Sequence, residues 1–207
     1  MDSTQEFILP KTIVVVHGFT CHRFWLKPLC HRLQAKGYRV DNWGYKSMFR
    51  SVQVHGTALH DHLVDDLANE ERIDIVAHSM GSLVVRCALS QGGVNNLGRV
   101  VLLAPPSRGT PVARWASPVI GPICRCVREM SDTEESFANQ LPKTIPTDVG
   151  VIAAKFDTLV PNAFTHIDNE QDHTTLLATH NSLLFSRQVS DLADRFLSSG
   201  TFAKQLK

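Results

Sequence analysis

The sequence predicts an α/β fold, a mostly parallel sheet of about six strands with helices on both faces. Three observations lead there. Short β-branched runs such as Ile13-Val14-Val15-Val16 and Val100-Val101-Leu102-Leu103 have the character of strands buried on both sides. Amphipathic stretches of helical period alternate with them along the chain. His17, Ser79, Asp157 and His180 each follow an apolar run, at the strand ends where ligands of such sheets bind.

The elements follow in order. Lys11–Val16 is the first strand and ends in His17-Gly18-Phe19. A helix runs over about 24–36, with Leu26, Leu29 and Leu33 on one side. A strand near 38–43 is followed by a long amphipathic helix over about 51–70, on which His60 and His62 are two residues apart, face different ways and lie at the surface. Ile73–Val76 is a strand and 79–90 a helix, and Arg99–Leu103 and Gly150–Ala154 are two more central strands. Thr174–Thr179 is a short last strand and Leu183–Ser198 a closing amphipathic helix. The irregular stretch is 105–146, with Pro105-Pro106, Gly109-Thr110-Pro111 and the apolar residues Trp115, Val119, Ile120, Ile123 and Met130. It is read either as a connecting helix with loops or as a wall or short lid over a pocket.

With 207 residues, 43% of them hydrophobic and 20% charged, the chain is sized for a single domain spanning 1–207, which excludes disorder and collagen-like repeats. Lys+Arg (21) and Asp+Glu (20) nearly cancel and no basic stripe with interleaved aromatics is present, so nucleic acid is not an expected partner. Apolar runs are too short for an integral membrane segment. The start, Met1-Asp2-Ser3-Thr4-Gln5-Glu6, lacks the pattern of a secretory signal, and the odd, scattered cysteines do not form a disulfide framework, so a cytoplasmic setting is expected. Cys124-x-Cys126 lacks a second pair at zinc-ligand spacing and is read as ordinary thiols; no metal site is assigned.

The most specific signal is Ala77-His78-Ser79-Met80-Gly81, where an apolar strand breaks and becomes helix-like. A serine on so sharp a strand-to-helix turn adopts strained angles, so the residues two before and two after must be small, as Ala77 and Gly81 are. The helix start aims free N–H groups at the same spot, which makes the Met80 N–H the first expected oxyanion donor. A serine hydroxyl needs a base oriented by a third group. Asp157 follows the 149–154 strand, and His180 stands between the last strand and the closing helix. His173 is the rival base, and Asp168 and Asp172 are rival acids further from the strand end; Asp172-His173 is alternatively read as holding the acid loop. After the first strand, Gly18 allows close approach and the Phe19 N–H is the second expected donor. His17 is expected to pack and hydrogen-bond under that loop, and His78 to be a packing residue whose side chain points away from Ser79.

Together, Val16-His17-Gly18-Phe19, Ala77-His78-Ser79-Met80-Gly81-Ser82, Gly109-Thr110-Pro111, Asp157-Thr158-Leu159-Val160-Pro161 and His180-Asn181-Ser182-Leu183 resemble the motifs of small α/β-hydrolases of the lipase/esterase type, across nearly the whole chain. Trp43-Gly44-Tyr45-Lys46-Ser47 also resembles the segment after the second core strand in compact members. The resemblance implies a serine hydrolase of acyl esters, a carboxylesterase with a catalytic triad of Ser79, His180 and Asp157, acting on a small-molecule or lipid ester without metal or organic cofactor. A thioesterase or acyltransferase with the same triad, and a non-catalytic binding protein of the same fold, are the alternatives. Neither the antiparallel hairpin that opens many members nor a long cap is expected here, and the small site then expected favours short or medium acyl groups.

Overall fold

The computed structural model describes residues 11–204, so the Met1–Glu6 segment lies outside the described residues. Six strands form one sheet: β1 (Thr12–Val16), β2 (Arg39–Trp43), β3 (Ile73–His78), β4 (Leu97–Leu103), β5 (Val149–Ala154) and β6 (Glu170–Leu176). Their order is β2-β1-β3-β4-β5-β6, and every pairing is parallel. Parallel neighbours need crossovers, and these place α1 (Lys27–Gln34) and α7 (Arg187–Ser199) on one face, with α2 (Val52–Asp61) and α3 (Met80–Leu89) on the other. Side chains alternate along each strand. Ile13, Val15, Val76, Val101 and Ile152 pack with Leu29, Leu33 and Phe196 of α1 and α7. Val14, Val16, Ile75, Leu102 and Val151 pack with Leu59, Leu83 and Val84 of α2 and α3.

Several boundaries differ from the periodicity for local reasons. The helix expected over 24–36 is a 3-10 turn, Arg23–Leu26, followed by α1, with Pro28 in the first turn of α1, where its missing N–H costs nothing. The helix expected over 51–70 is capped by Ser51, whose Oγ accepts the Val54 N–H (3.2 Å), and after α2 widens into a π-helical turn, His62–Asp66. That turn is held by His62, with Nδ1 2.6 Å from an Asp66 oxygen and Nε2 2.5 Å from an Asp41 oxygen. His60 and His62 are both half-buried rather than at the surface. Burial by itself lowers the His62 pKa, but the two carboxylates outweigh it and the net direction is up. The last strand comes earlier than expected, and the closing helix is split into a 3-10 turn, Ser182–Phe185, and α7.

Residues 105–146 contain three short helices, α4 (Pro111–Ile120), α5 (Arg125–Glu129) and α6 (Phe137–Gln140). They are fastened to α3 by Arg86, a buried guanidinium that donates to the carbonyls of Ser107 (2.8 Å), Leu141 (3.2 Å) and Pro142 (2.9 Å). Burial lowers its pKa to about 10, so it stays charged at neutral pH. All five cysteines are free, and Cys124 and Cys126 are buried with their sulfurs 3.1 Å apart. Among the described residues, no helix is long and apolar enough to cross a membrane.

Every residue of α3 is buried, so its neighbours fix its position. α2 approaches it at Gly56, where an added Cβ would stand 2.6 Å from the Cys87 Cβ. Gly56→Val is expected to lose on the order of 1–3 kcal/mol through overpacking, read as a lower urea midpoint with an unchanged slope.

Candidate active site

At the end of β3 the chain turns into α3 at Ser79, which has φ 53° and ψ −127°. A non-glycine residue there costs on the order of 1–3 kcal/mol and persists only when its surroundings over-determine it. They do. The Ser79 N–H donates to the Leu103 carbonyl of β4 (2.9 Å), continuing the ladder into the turn. A Cβ on Gly81 would lie 2.6 Å from the His17 carbonyl oxygen and 2.8 Å from that of Val16, so the first turn of α3 rests on the end of β1. Ala77 is fully buried in the core below. A Cβ on Gly18 would lie 2.8 Å from the Ser79 Cβ, so the loop after β1 passes directly beside the serine.

Three side chains from separate loops form one hydrogen-bonded series. His180 Nε2 is 2.9 Å from Ser79 Oγ, and His180 Nδ1 is 2.6 Å from Asp157 Oδ2. The other Asp157 oxygen accepts the N–H groups of Leu159 (2.9 Å) and Val160 (2.8 Å). With its Nδ1–H donated to the carboxylate, His180 presents the Nε2 lone pair to the serine hydroxyl. The Asp157 side chain is 1% exposed and that of His180 8%. Burial pushes the Asp157 carboxyl up, but the bonds from His180, Val160 and Leu159 outweigh it, and the net direction is down. Such an arrangement can take a proton from the serine while stabilising the imidazolium that forms.

The loop after β1 is supported from beneath by His17. Its Nδ1–H donates to the Gly18 carbonyl (2.9 Å) and its Nε2 accepts the Tyr45 N–H (3.2 Å), which fixes a neutral tautomer. Burial lowers its pKa in agreement. Tyr45 returns a bond from its hydroxyl to the His17 carbonyl (2.7 Å), with the two rings stacked 4.3 Å apart. No residue pattern in the sequence marks Tyr45 as the partner of His17, because the two are joined only once β1 and β2 pair in parallel. Among the described residues, neither the Phe19 N–H nor the Met80 N–H has a protein hydrogen-bond partner.

His78 departs from expectation. Its Nε2–H donates to the His180 carbonyl (3.2 Å), its ring lies 4.8 Å from the His180 ring, and it lines the cavity over Ser79. It therefore faces the serine's surroundings instead of turning away. Total burial, with the charge of nearby His180 adding to it, lowers its pKa to about 3. The rivals lie elsewhere. His173 is on β6 with Nε2 3.0 Å from Thr165 Oγ1, Asp168 is 3.9 Å from Arg108, and Asp172 accepts the Thr201 hydroxyl and Phe202 N–H, both at 2.7 Å. Asp172 thus fastens the C-terminal segment, while His173 bonds to Thr165 in the β5–β6 connection that also carries Asp157. Near His173, the donor atoms of His166, Glu170 and His173 lie within 4.8 Å of one another, with His166 bonded to Glu170 (2.6 Å) and the two imidazoles stacked.

Above Ser79 is a cavity of about 310 Å³. Its apolar wall comes from Val112, Ala113, Ala116 and Ile120 of α4, Val127 of α5, and Met130. Phe19, Leu159 and Val160 complete it. These α4 and α5 residues and Met130 all fall within 105–146.

The model of the Alpha/beta hydrolase family matches residues 13–195. No curated protein matches the chain. Among solved structures, the mature lipase BlEst2 of Bacillus licheniformis superposes with a TM-score of 0.70 at 15% identity, over 84% of this chain and 86% of that one. A monoacylglycerol lipase of Paleococcus ferrophilus gives 0.65 at 14% identity, over 90% and 92%. Lipase B of Aspergillus fumigatus gives 0.76 at 13% identity, over 91% of this chain and 52% of that one. At such identities the likeness is one of fold.

The buried neutral histidines give a pH dependence of known sign. The folded His78 pKa lies near 3, against 6.5 for an exposed imidazole, so below 6.5 the unfolded chain takes up a proton that the folded chain refuses. This contribution to stability falls as pH drops from about 6.5; His17 and His55 act in the same direction and His62, whose pKa is raised, in the opposite one. Urea unfolding at pH 5 is expected to give about 2 kcal/mol less stability than at pH 7 from His78 alone. A difference between pH 5 and pH 7 that is unchanged in His78→Gln would contradict the burial of this ring.

Proposed function

The chain belongs to the alpha/beta hydrolase family, and from that premise we propose that it is a serine hydrolase of carboxylic esters working through an acyl-serine intermediate. The observation that carries this reading is the continuous series Asp157–His180–Ser79 at 2.6 and 2.9 Å on the floor of an apolar cavity. Ser79 Oγ attacks the ester carbon while His180 Nε2 takes the hydroxyl proton, and Asp157 stabilises the imidazolium. The tetrahedral oxyanion accepts the Phe19 and Met80 N–H groups, which have no competing protein acceptor among the described residues. His180 then gives its proton to the leaving alcohol. In the second half, His180 activates water against the acyl-Ser79 carbon and the acid departs.

A cavity of about 310 Å³ lies at the lower end of the range for ligand pockets, which supports short or medium acyl groups. The same groups serve a thioester or an acceptor alcohol, so assays with thioesters and with competing alcohols divide esterase from thioesterase and acyltransferase.

A fluorophosphonate probe is expected to label Ser79 in the wild type, located by peptide mapping, and to fail in Ser79→Ala and His180→Ala. Asp157→Asn should keep the fold and lower turnover of a short-chain p-nitrophenyl ester by about 10⁴ through the wrong imidazole tautomer. Near-wild-type activity in Asp157→Asn would remove Asp157 from the reading, and an unlabelled, folded wild type would favour a non-catalytic binding protein.

A further inference from the structure

Three segments that follow the carboxyl ends of β1, β2 and β4 expose large apolar side chains at the same end of the sheet as Ser79. α4 presents Trp115 and Val119, four residues apart and so on one face, on the outer side of its cavity wall, with Trp115 76% and Val119 78% exposed. Ile123, just beyond it, is 90% exposed, and Phe49, after β2, is 81% exposed. Phe24 and Trp25, after β1, are also exposed. The segments adjoin one another. Cys124 Sγ reaches the Met48 carbonyl (3.3 Å), a groove is shared by Arg23, Lys46 and Phe49, and Thr20 lines both that groove and the cavity over Ser79. Isolated exposed apolar residues are ordinary; a contiguous group rimmed by charge of one sign marks an interaction surface.

The charge carried by these three segments is one-sided, with Glu129 and Glu135 entering only at the groove behind α4 that they share with Arg125 and Arg128. Residues 20–36, 42–60 and 108–128 contain no Asp or Glu, in a chain of net charge +1 whose remainder is correspondingly acidic. Arg114 pairs with Asp132 and Arg125 with Glu129, but among the described residues Arg23, Lys27, Lys46, Arg50 and Arg128 have no carboxylate partner. The pattern forms no stripe along the sequence, because its members come from three segments that only the parallel sheet brings to one end.

We infer that this face docks on an anionic lipid surface, with Trp115, Val119, Ile123 and Phe49 entering the headgroup boundary, the unpaired cations against lipid phosphates, and the cavity over Ser79 open toward the bilayer. Apolar side chains ringed by Lys and Arg are the features that bind a peripheral protein to such a surface. A second copy of the chain is the poorer occupant, because it would set the same cations against each other. The docking itself does not depend on catalysis, whereas the ester being a lipid rests on the hydrolase reading.

Co-sedimentation with vesicles of phosphatidylcholine, and of phosphatidylcholine mixed with phosphatidylglycerol, tests the surface. The full chain is expected to bind the mixed vesicles at least about tenfold better than phosphatidylcholine alone, and to release in high salt. Trp115→Ser with Ile123→Ser should weaken binding about tenfold or more, and Lys46→Gln about fivefold. These variants should keep wild-type fluorophosphonate labelling of Ser79 and hydrolysis of a water-soluble p-nitrophenyl ester. Absence of vesicle binding, indifference to anionic lipid, or self-association in light scattering that the Trp115/Ile123 variant abolishes would overturn the docking surface. Vesicle binding without labelling in the wild type would instead overturn the hydrolase reading and leave the surface standing.

Discussion

Much of this molecule is arranged around a single unfavourable backbone conformation. Ser79 turns the chain from β3 into α3 at φ 53°, and the neighbouring elements hold it there. β4 accepts its N–H, β1 offers carbonyls against which the α3 turn rests, and Gly81 leaves the space that this contact requires. The central pairs β1/β3 and β3/β4 flank the turn on both sides, so the middle of the sheet carries the strain. Strain of this kind is stored where geometry must be set before a ligand arrives.

The groups around the serine are held at two depths. His180, Asp157 and Ser79 form the directly bonded series, while His17, Tyr45 and His78 hold the loops from which those groups and the Phe19 and Met80 N–H groups project. Two features distinguish this outer layer. Its imidazoles are driven toward the neutral form by burial, so they act as oriented hydrogen-bonding plates rather than as charges that would compete with His180. It also joins distant parts of the chain, with Tyr45 reaching His17 across β2 and β1, and His78 reaching the His180 loop across the sheet end.

What could be read in the sequence is what has a local cause. The Ile13–Val16 stretch of β1 announces itself by its β-branched run, and the Ser79 turn by the small residues it demands. The order Ser79, Asp157, His180 was legible because each residue lies just past an element end. Element ends were less legible. The π-helical turn at His62 is held by Asp41, far away in sequence, and β6 begins at Glu170 because its backbone pairs with β5 from Val149 onward, a partnership that no local pattern reveals. The orientation of His78 and the role of Tyr45 are properties of the assembled sheet and leave no spacing to detect.

On α3, the Arg86 guanidinium grips the carbonyls of Ser107 and of Leu141 and Pro142, which are the two ends of the wall-forming excursion, and it does so through backbone oxygens that any residue supplies. The stretch between those anchor points is therefore modular: its length and side chains can diverge while its stem stays seated on the helix that begins at Ser79. A lineage could remodel the shape of the chamber by changing this cassette alone, leaving the Asp157–His180–Ser79 series below it untouched.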